Sequence, residues 1–579
     1  MFEFKAADNK RAQCHRLETQ LVQERSSFES HWRELGEQFA PRRVRFLQTD
    51  RNRGDKRHGK IINEHGMLEA RTLRSGMFAG ITSPARPWRR LSTPDPDLAD
   101  FGAVKNWLYT VNKRMNTLTL RSNFYQAAPV LYGDMGVFAG GALGVFEDQE
   151  DGMRCYNYPI GSYYLACNHR GVVDTFLYKY QMTVRQLVMK FGDHQASDAT
   201  KWNNFSVQVK NLFERGDYET SIYVSHLIAP NMYYDPRRLE AKYSKPYQSS
   251  YYEAGLMNAG SQYTASDGQD GKFLKESGFD FFPILAPAWE KTGEDTYGTT
   301  CPGMDALGST KELQTTEKRL SRAIEKQLNP ALQGPPSLRN QKASLLAGDI
   351  TYVDETSGKG GLRPIHEVDM AVDKVEQRIQ RMEQRISRCF FADMFLMISQ
   401  MEGVQPRNEA EIAERHEEKL LMLGPVLEST NDGFLDPLTD IQFAMLVKYG
   451  MIPEPPQELA DMDLKVEYES IMAKAQKLVG VAGTERFLAF AGNLAAAKPN
   501  VLDRINEDEA IDEYGDMMNV SSKIIRPLEE AEKIRAQREK AQQAAAMAQN
   551  APAMAGAAKQ LSETDMSTDN ALTRVMAGA

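Results

Sequence analysis

The strongest constraint on the fold lies between residues 367 and 398. Val368, Val372, Val375, Ile379, Met382, Ile386 and Cys389 recur with a 4-3 spacing. Apolar residues at that rhythm form one seam along a helix about three heptads long. With Val372 at position a, Asp369, Glu376 and Glu383 fall at e, whereas Lys374, Arg378, Arg381, Arg385 and Arg388 fall at c and g. One flank is acidic and the other basic. In a two-fold dimer a flank can meet its own copy. In a head-to-tail ring each flank meets the opposite flank of the next subunit, and opposed signs suit the ring. A solvated helix of mixed charge is the competing reading.

A second long helix is predicted from Ser309. Ser309 and Glu312 have the spacing of a capping box, and Leu313, Leu320, Ile324 and Leu328 form a stripe before Pro330, Pro335 and Pro336. "ASLLAGDITYVDETSGKGGLRPIH" reads as two short strands around a GKGG turn. Upstream, Leu17, Leu21, Phe28, Trp32, Leu35 and Phe39 mark one face of a helix over 9–40, ended by Pro41. Further helices are predicted from Ile61 to Phe78 and over 99–128. From Tyr132 to Ile228 β-type runs appear, "GVVDTFLYKY" and "TSIYVSHLI" among them, around a short helix in "QMTVRQLVMKFG". "PVLYGDMGVFAGGALGVF", 129–146, is short for a membrane span, glycine-rich, and carries Asp134, so it reads as a buried hairpin or loop. Residues 240–300 are aromatic and turn-rich and resist assignment. After the seam helix come the loop "SQMEGVQPRN", a helix capped by Asn408 with Glu411 at N3, and helices alternating with proline-rich turns to about 540. A low-complexity tail follows. The expected class is α+β, mostly helical.

Sites for chemistry are hard to find. The chain has 79 acidic and 70 basic residues, which argues against coating nucleic acid over its whole surface but permits local basic patches. Its five cysteines are scattered and form no CxxC, so a disulfide framework or zinc ribbon is not expected and a reducing compartment fits. "MFEFKAADNKR" lacks the apolar core of a secretory signal. "GMDALGST", 303–310, has the glycine spacing of a phosphate-binding loop, but Ser309 stands where the lysine belongs. "GVFAGGALG" shares only glycines with a dinucleotide loop and reads as a close-packed hairpin. Cys155, Cys167 and His169 lack paired zinc-ligand spacing, which suits a structural cysteine and a surface histidine. No catalytic, cofactor-binding or metal-ligating residue is assigned.

The remaining motifs resemble the portal (head-to-tail connecting) proteins of bacteriophages of the short-tailed type. "SGMFAGITSPARPWRRL" is similar to the family's helix followed by a Thr-Ser-Pro turn and a tryptophan, with Arg89 in place of the usual aromatic after Trp88. "SNFYQAAPVLYGDMGVFAGGAL", "YPIGSYYLACNHRGVVDTFLYKYQMTVRQLVMKFG" and "GFDFFPILAPAWEKTGEDTYGTTCPGMDAL" resemble later segments in the family's order. In the last, Ala288 stands where arginine is common and Thr299-Thr300 fill an Arg-Gly slot. "GPVLESTNDGFLDPLTDIQFAMLVKYGMIPEPP" and "VSSKIIRPLEEAEKIRAQREKAQQ" are similar to the C-terminal part.

The resemblance implies a dodecameric ring with a central channel. Its parts map to a wing (1–302), a first stem helix (303–330), a clip (331–366) and a second stem helix (367–398). A tunnel loop (399–408), a wing helix (409–430), a crown (431–540) and a low-complexity C-terminal tail (541–579) follow. Channel or DNA contacts then fall to Gln400, Met401, Gln405, Arg407, Lys342, Lys359 and Arg363. Subunit contacts fall to Asp369, Glu376 and Glu383 facing Arg378, Arg381, Arg385 and Arg388. The implied partners are further copies of the chain, the major capsid protein, the terminase packaging motor, a tail adaptor protein and dsDNA without sequence specificity, with no membrane. The implied location is the portal vertex of the virion, and the host cytoplasm during assembly. In "GITSPARPWRRLSTPD" Trp88 would anchor a stiff turn that locks a wing helix against a β-layer, leaving Arg86, Arg89 and Arg90 free for neighbours or DNA. A metal-dependent DNA-processing nuclease and a coiled-coil scaffold are the alternatives.

Overall fold

A computed structural model describes residues 10–46, 59–85, 87–95, 102–192, 202–256, 272–293, 295–328, 372–395 and 423–459, with short stretches elsewhere, among them 332–333, 363–364, 464–468, 489–494 and 531–545. The chain divides into two compact units. The first takes in residues 1–90, 112–452 and 468–472, the second 91–111, 453–467 and 473–579. In the second, Trp107 donates its indole N–H to the Pro453 carbonyl (2.9 Å). All that follows concerns the first.

Its opening helix, α1 (Lys10–Phe39), lies where the apolar spacing predicts it. Leu21, Trp32, Leu35 and Phe39 are buried. Cys14 and Leu21 pack with Tyr164, Leu177, Leu227 and Tyr252. Those partners belong to an antiparallel five-stranded sheet of strands β4 (Tyr163–Cys167), β5 (Val173–Thr183), β6 (Ser221–Pro230), β7 (Tyr247–Leu256) and β8 (Lys275–Phe279), paired in that order. The runs "GVVDTFLYKY" and "TSIYVSHLI" are thus neighbouring strands, with Leu177 opposite Leu227 and Tyr178 opposite His226. The turn-rich region 240–300 supplies β7, β8 and the two-residue β9 (Ile284–Leu285). The other sheet face is covered by α5 (Val184–Phe191) and α6 (Val207–Glu214), whose Leu187, Val188 and Val209 meet Met182, Ile222 and Val224. Thr183 and Gln186 close a capping box on α5.

Charged groups inside this layer are compensated, as burial requires. Arg25, 2% exposed, donates to the carbonyls of Gly161 and Tyr163 (both 2.7 Å) and to Glu29 (2.6 Å), and lies 3.7 Å from the Tyr164 ring. His226 is stacked on Tyr251 (3.8 Å, 8°) and shares a hydrogen bond with Ser249 Oγ (2.9 Å). Burial, aided by the Lys190 charge, pushes its pKa down to about 3.

A three-stranded sheet, ordered β3 (Gly152–Tyr158), β2 (Ala142–Asp148), β9, packs beside two helices, α2 (His65–Ile81) and α4 (Phe124–Phe138). Here two expectations fail. The helix predicted over 99–128 is two helices, α3 (Gly102–Arg121) and α4, separated at Ser122–Asn123. Residues 129–138 belong to α4 rather than to a hairpin. Their glycines serve helix packing, not turning. A Cβ on Gly136 would lie 2.4 Å from Leu73 of α2, and one on Gly141 would lie 2.7 Å from Leu131. The turn comes at Ala139, which adopts φ 65. Asp134 is buried within α4 and paired with Arg43. Among the described residues no helix is long and apolar enough to cross a membrane.

Two long helices follow, α7 (Pro302–Leu328) and α8 (Val372–Cys389). α7 starts seven residues before Ser309, so Ser309 is a helix-interior residue and caps nothing. Pro302, which lacks an N–H, supplies the first turn, and the amides of Met304 and Asp305 bond the Cys301 carbonyl (3.0 and 3.2 Å). Gly303 lets α7 start against the end of α4: a Cβ there would lie 2.6 Å from the Val137 carbonyl oxygen. The stretch expected as one helix to 398 breaks after Cys389 and resumes as α9 (Ala392–Phe395). Phe391 at the break has φ 55, a left-handed conformation that costs a bulky residue about 1–3 kcal/mol. Residues 396–422, including the helix assigned to Asn408 and Glu411, lie outside the described residues. Of the two strands expected in 343–366, Arg363–Pro364 is seen, paired with Leu332–Gln333; the rest lies outside. The unit ends on α10 (Gly424–Thr430), a π-helical turn, and α11 (Asp436–Lys448).

Two outcomes are expected from this packing. Gly303→Ala, which forces a methyl into a backbone, should cost about 1–3 kcal/mol in urea unfolding of the full chain. Gly308→Ala, with nothing within 4 Å of its Cβ, should be neutral or stabilise by up to about 1 kcal/mol. Equal losses would show that the α4–α7 contact is not tight. The second concerns pH. His226 folds neutral, so between its ordinary pKa and about 3 the unfolded chain holds a proton that the folded chain refuses. Stability is therefore complete above about pH 6.5 and falls as pH drops, by at most about 1.4 kcal/mol per unit. His226→Gln should flatten that dependence in denaturant titrations from pH 7 to 4, and an unchanged slope would exclude His226 as its source.

Candidate functional site on the paired long helices

The 4-3 seam is buried within the chain. Ile379, Met382 and Ile386 are covered, Val375 and Cys389 half so. They meet α7, where Ala306, Thr310, Leu313 and Leu320 are buried, and α2. The predicted α7 stripe is buried only in its first half, since Ile324 is 36% and Leu328 81% exposed. "GMDALGST" forms the first turns of α7, so its amides face along a helix and make no phosphate cradle.

Three helices are tied at one polar knot. Gln314 of α7, 7% exposed, accepts from the amides of Ile62 (2.6 Å) and Asn63 (2.9 Å) and donates to the Asn63 carbonyl (2.7 Å). Its side chain acts there as a backbone partner would. The Asn63 amide donates to Glu317 of α7 (3.1 Å) and Glu383 of α8 (3.0 Å), while its Oδ1 accepts from the His65 amide at the start of α2 (2.8 Å). His65 Nε2 is 3.0 Å from both the Glu383 carbonyl oxygen and Ser387 Oγ. A carbonyl only accepts, so Nε2 carries the proton. Ser387 in turn donates to Glu69 (3.0 Å). Beside the knot lies an open polar groove of about 530 Å³ lined by His65, Gln380, Glu383, Gln384, Ser387, Arg388 and Asp393.

The charged flanks of α8 divide in two. Arg378 pairs with Glu312 of α7, and Glu383 is held by Asn63, so both have partners inside the chain. Glu376, Arg381, Arg385 and Arg388 are exposed. Successive arginines three and four residues apart are neighbours on a helix, and these form a short ridge. Asp369, Gln400, Met401, Gln405, Arg407, Lys342 and Lys359 lie outside the described residues, and of Arg363 only the strand position is given.

The Trp88 turn corrects another expectation. Trp88 is buried, stacked on Phe124 of α4 (6.0 Å), and donates to the Tyr125 hydroxyl (3.3 Å), so it anchors the turn to a helix rather than to a β-layer. Arg89 is not free. It is 2% exposed and donates to Thr439 (3.2 Å), Thr119 (3.1 Å) and Gln442. In the place of an aromatic, its guanidinium finds three polar acceptors on α3 and α11. Arg90 is half-buried, and Arg86 lies outside the described residues. Elsewhere, a cavity of about 390 Å³ with Phe146, Phe279, Ile441 and Met445 in its lining is rimmed by the ion pairs Lys448–Glu147 (2.7 Å) and Lys245–Asp280 (2.6 Å). Among the described residues no group of three or more His, Cys, Asp or Glu is placed to hold a metal ion.

Sequence reasoning missed Asn63, Gln314 and the burial of Arg89. A signal existed for two of them. Gln314 adjoins Leu313 on an otherwise apolar helix face, and Asn63 stands two residues before a helix, the position of an Asx turn.

A rigid helix pair, its apolar seam spent internally and its arginines turned outward, is the equipment of an assembly protein. The chain belongs to the bacteriophage head-to-tail connecting protein family, whose model matches residues 11–525. It is 45% identical over 556 residues, 96% of each chain, to the portal protein of Salmonella phage epsilon15. It is 38% identical over 557 residues, again 96% of each, to a probable portal protein of Bordetella phage BPP-1.

The polar knot sets an order of sensitivities. Asn63→Ala should cost about 1–3 kcal/mol, because it strands groups on three helices. Arg378→Glu, which loses one exposed ion pair, should cost about 1 kcal/mol or less. Urea unfolding of the two variants checks this, and the reverse order would mean that the knot does not hold the pair.

Proposed function

We propose that this chain is the portal subunit at one vertex of a phage capsid. Twelve copies close into a ring whose channel passes dsDNA during packaging and ejection. The ring docks the terminase motor while DNA enters and a tail adaptor afterwards, and the major capsid protein surrounds it. The observation that carries this reading is the match to relatives named portal proteins over 96% of both chains. In the ring, residues 1–302 and 409–430 form the wing, 303–330 and 367–398 the stem, 331–366 the clip, 399–408 the tunnel loop and 431–540 the crown. The chain itself turns over no substrate and acts by position.

The exposed ridge Arg381, Arg385 and Arg388 faces the acidic flank of the next stem, where Glu376 and Asp369 belong. Arg378 and Glu383, with partners in their own chain, take a smaller part in that contact. Gln400, Met401, Gln405, Arg407, Lys342, Lys359 and Arg363 meet DNA in the channel. An acidic chain with a few basic bands suits a sliding contact, because each neutralised phosphate adds salt-dependent affinity, and contacts to phosphate read no sequence.

Electron microscopy of the purified protein should show closed rings with a central hole, and a monomer or two-fold dimer alone would sink the proposal. Glu376→Lys should weaken ring formation, and adding Arg385→Glu should restore part of it. Each exposed pair is worth only about 0.2–1 kcal/mol, but closure repeats it around the ring. Deleting Glu402 to Gln405 should leave rings intact while phage carrying the deletion fail to package or retain DNA. Normal packaging would exclude the loop from the channel.

A further inference from the structure

The break between α8 and α9 is not written in the local sequence. "SRCFFADMF", residues 387–395, contains neither glycine nor proline, and its residues support a continuous helix. Yet Phe391 sits at φ 55, one of two non-glycine residues with positive φ among those described. A glycine there would carry no steric penalty, and the chain uses a phenylalanine instead.

Aromatic packing holds the break open. Phe390 is fully buried, edge-on to Phe39 of α1 at 5.3 Å. Phe391 stacks on Trp289 at 6.2 Å and 28°. Ala392 and Met394 are buried. Phe395 lies over Gly76 of α2, where any Cβ would come within 2.2 Å of its ring. The backbone loses little. The Phe390 amide still bonds the Ile386 carbonyl (3.1 Å), the Phe391 amide bonds Arg388 (3.1 Å), and the amides of Met394 and Phe395 restart the helix on the Phe391 carbonyl (3.0 and 3.3 Å).

We propose that residues 389–392 form a two-state hinge. In the state seen, Phe391 is left-handed and Phe395 occupies the socket over Gly76. In the other, Phe391 turns right-handed, α8 and α9 fuse into one helix, Phe391 leaves Trp289 and Phe395 leaves its socket. Torsional strain favours fusion and aromatic packing favours the break, so a modest change in what presses on either side moves the balance. The direction in which the chain leaves residue 395 changes with it. The hinge belongs to the single chain and does not depend on ring formation.

Distances between nitroxides report the two states in the full-length protein. Labels are attached through azide-bearing residues at the exposed positions 377 and 393, in chains diluted with unlabelled protein. A fused helix places these sites about 24 Å apart along its axis, and the broken form holds them closer. Gly76→Ala closes the socket and should raise the population near 24 Å about tenfold or more over the parent. Phe395→Ala, which empties the socket without overfilling it, should shift the same way and decides the matter if Gly76→Ala does not fold. Phe391→Gly should remove the longer distance altogether. The short distance persisting unchanged in both socket variants, or the longer one surviving in Phe391→Gly, would overturn the hinge.

Discussion

The structure of the first unit depends on how closely two backbones approach at the end of α4. The carbonyls of Val137 and Ala139 are crowded by Gly303 and Gly298, where added Cβ atoms would lie 2.6 and 2.0 Å away. The Trp289 amide bonds the Ala139 carbonyl at 2.8 Å, and the Cys301 thiol faces Val137 at 3.3 Å. This contact decides where α7 begins, and so where the helix pair stands on the sheets behind it. Interiors packed to this density transmit displacement rather than absorb it. The long helices are therefore held by the body at their base and by the Asn63–Gln314 knot farther along.

Charge is used in two ways. Inside, Arg25, Arg43 and Arg89 each reach several acceptors, so a cation costly to bury becomes a clasp between segments distant in sequence. On α8 the same residue type is left facing outward. The seam of that helix is consumed by α7 and α2, so contact with any other molecule falls to the polar ridge, whose interactions weaken with salt.

Much of this was legible in the sequence because the signals were periodic. α1, β5, β6 and the capped helix α5 follow from apolar spacing and from Thr183 with Gln186 three residues on. The 4-3 seam named the buried face of α8. Failures came where one residue type serves two purposes. Gly133, Gly136 and Gly141 read as turn formers, but in α4 the missing side chains admit another helix. Ser309 and Glu312 had capping-box spacing inside a helix already begun at Pro302. The break at Phe391 could not be read, because it is imposed by Phe39, Trp289 and Gly76, all remote in sequence. The burial of Arg89 depended on Thr439 and Gln442, some 350 residues away. The proposed charged contacts were legible as a pattern, but spacing alone could not tell that Arg378 and Glu383 would find partners in their own chain. The family was legible for a different reason: many weak motifs kept their order along the chain.

Asn123 has a consequence for crowding. β3 is an edge strand of its sheet, and the Asn123 side chain accepts from the Cys155 amide (2.7 Å) and donates to the Cys155 carbonyl (2.8 Å). Asn157 on the same strand reaches the Ala127 carbonyl (2.9 Å). A bare edge invites another chain to add a strand. Here one amide side chain occupies the docking register from within. Many copies can then gather at high local concentration without their sheets zipping together, and association is left to the surfaces meant for it.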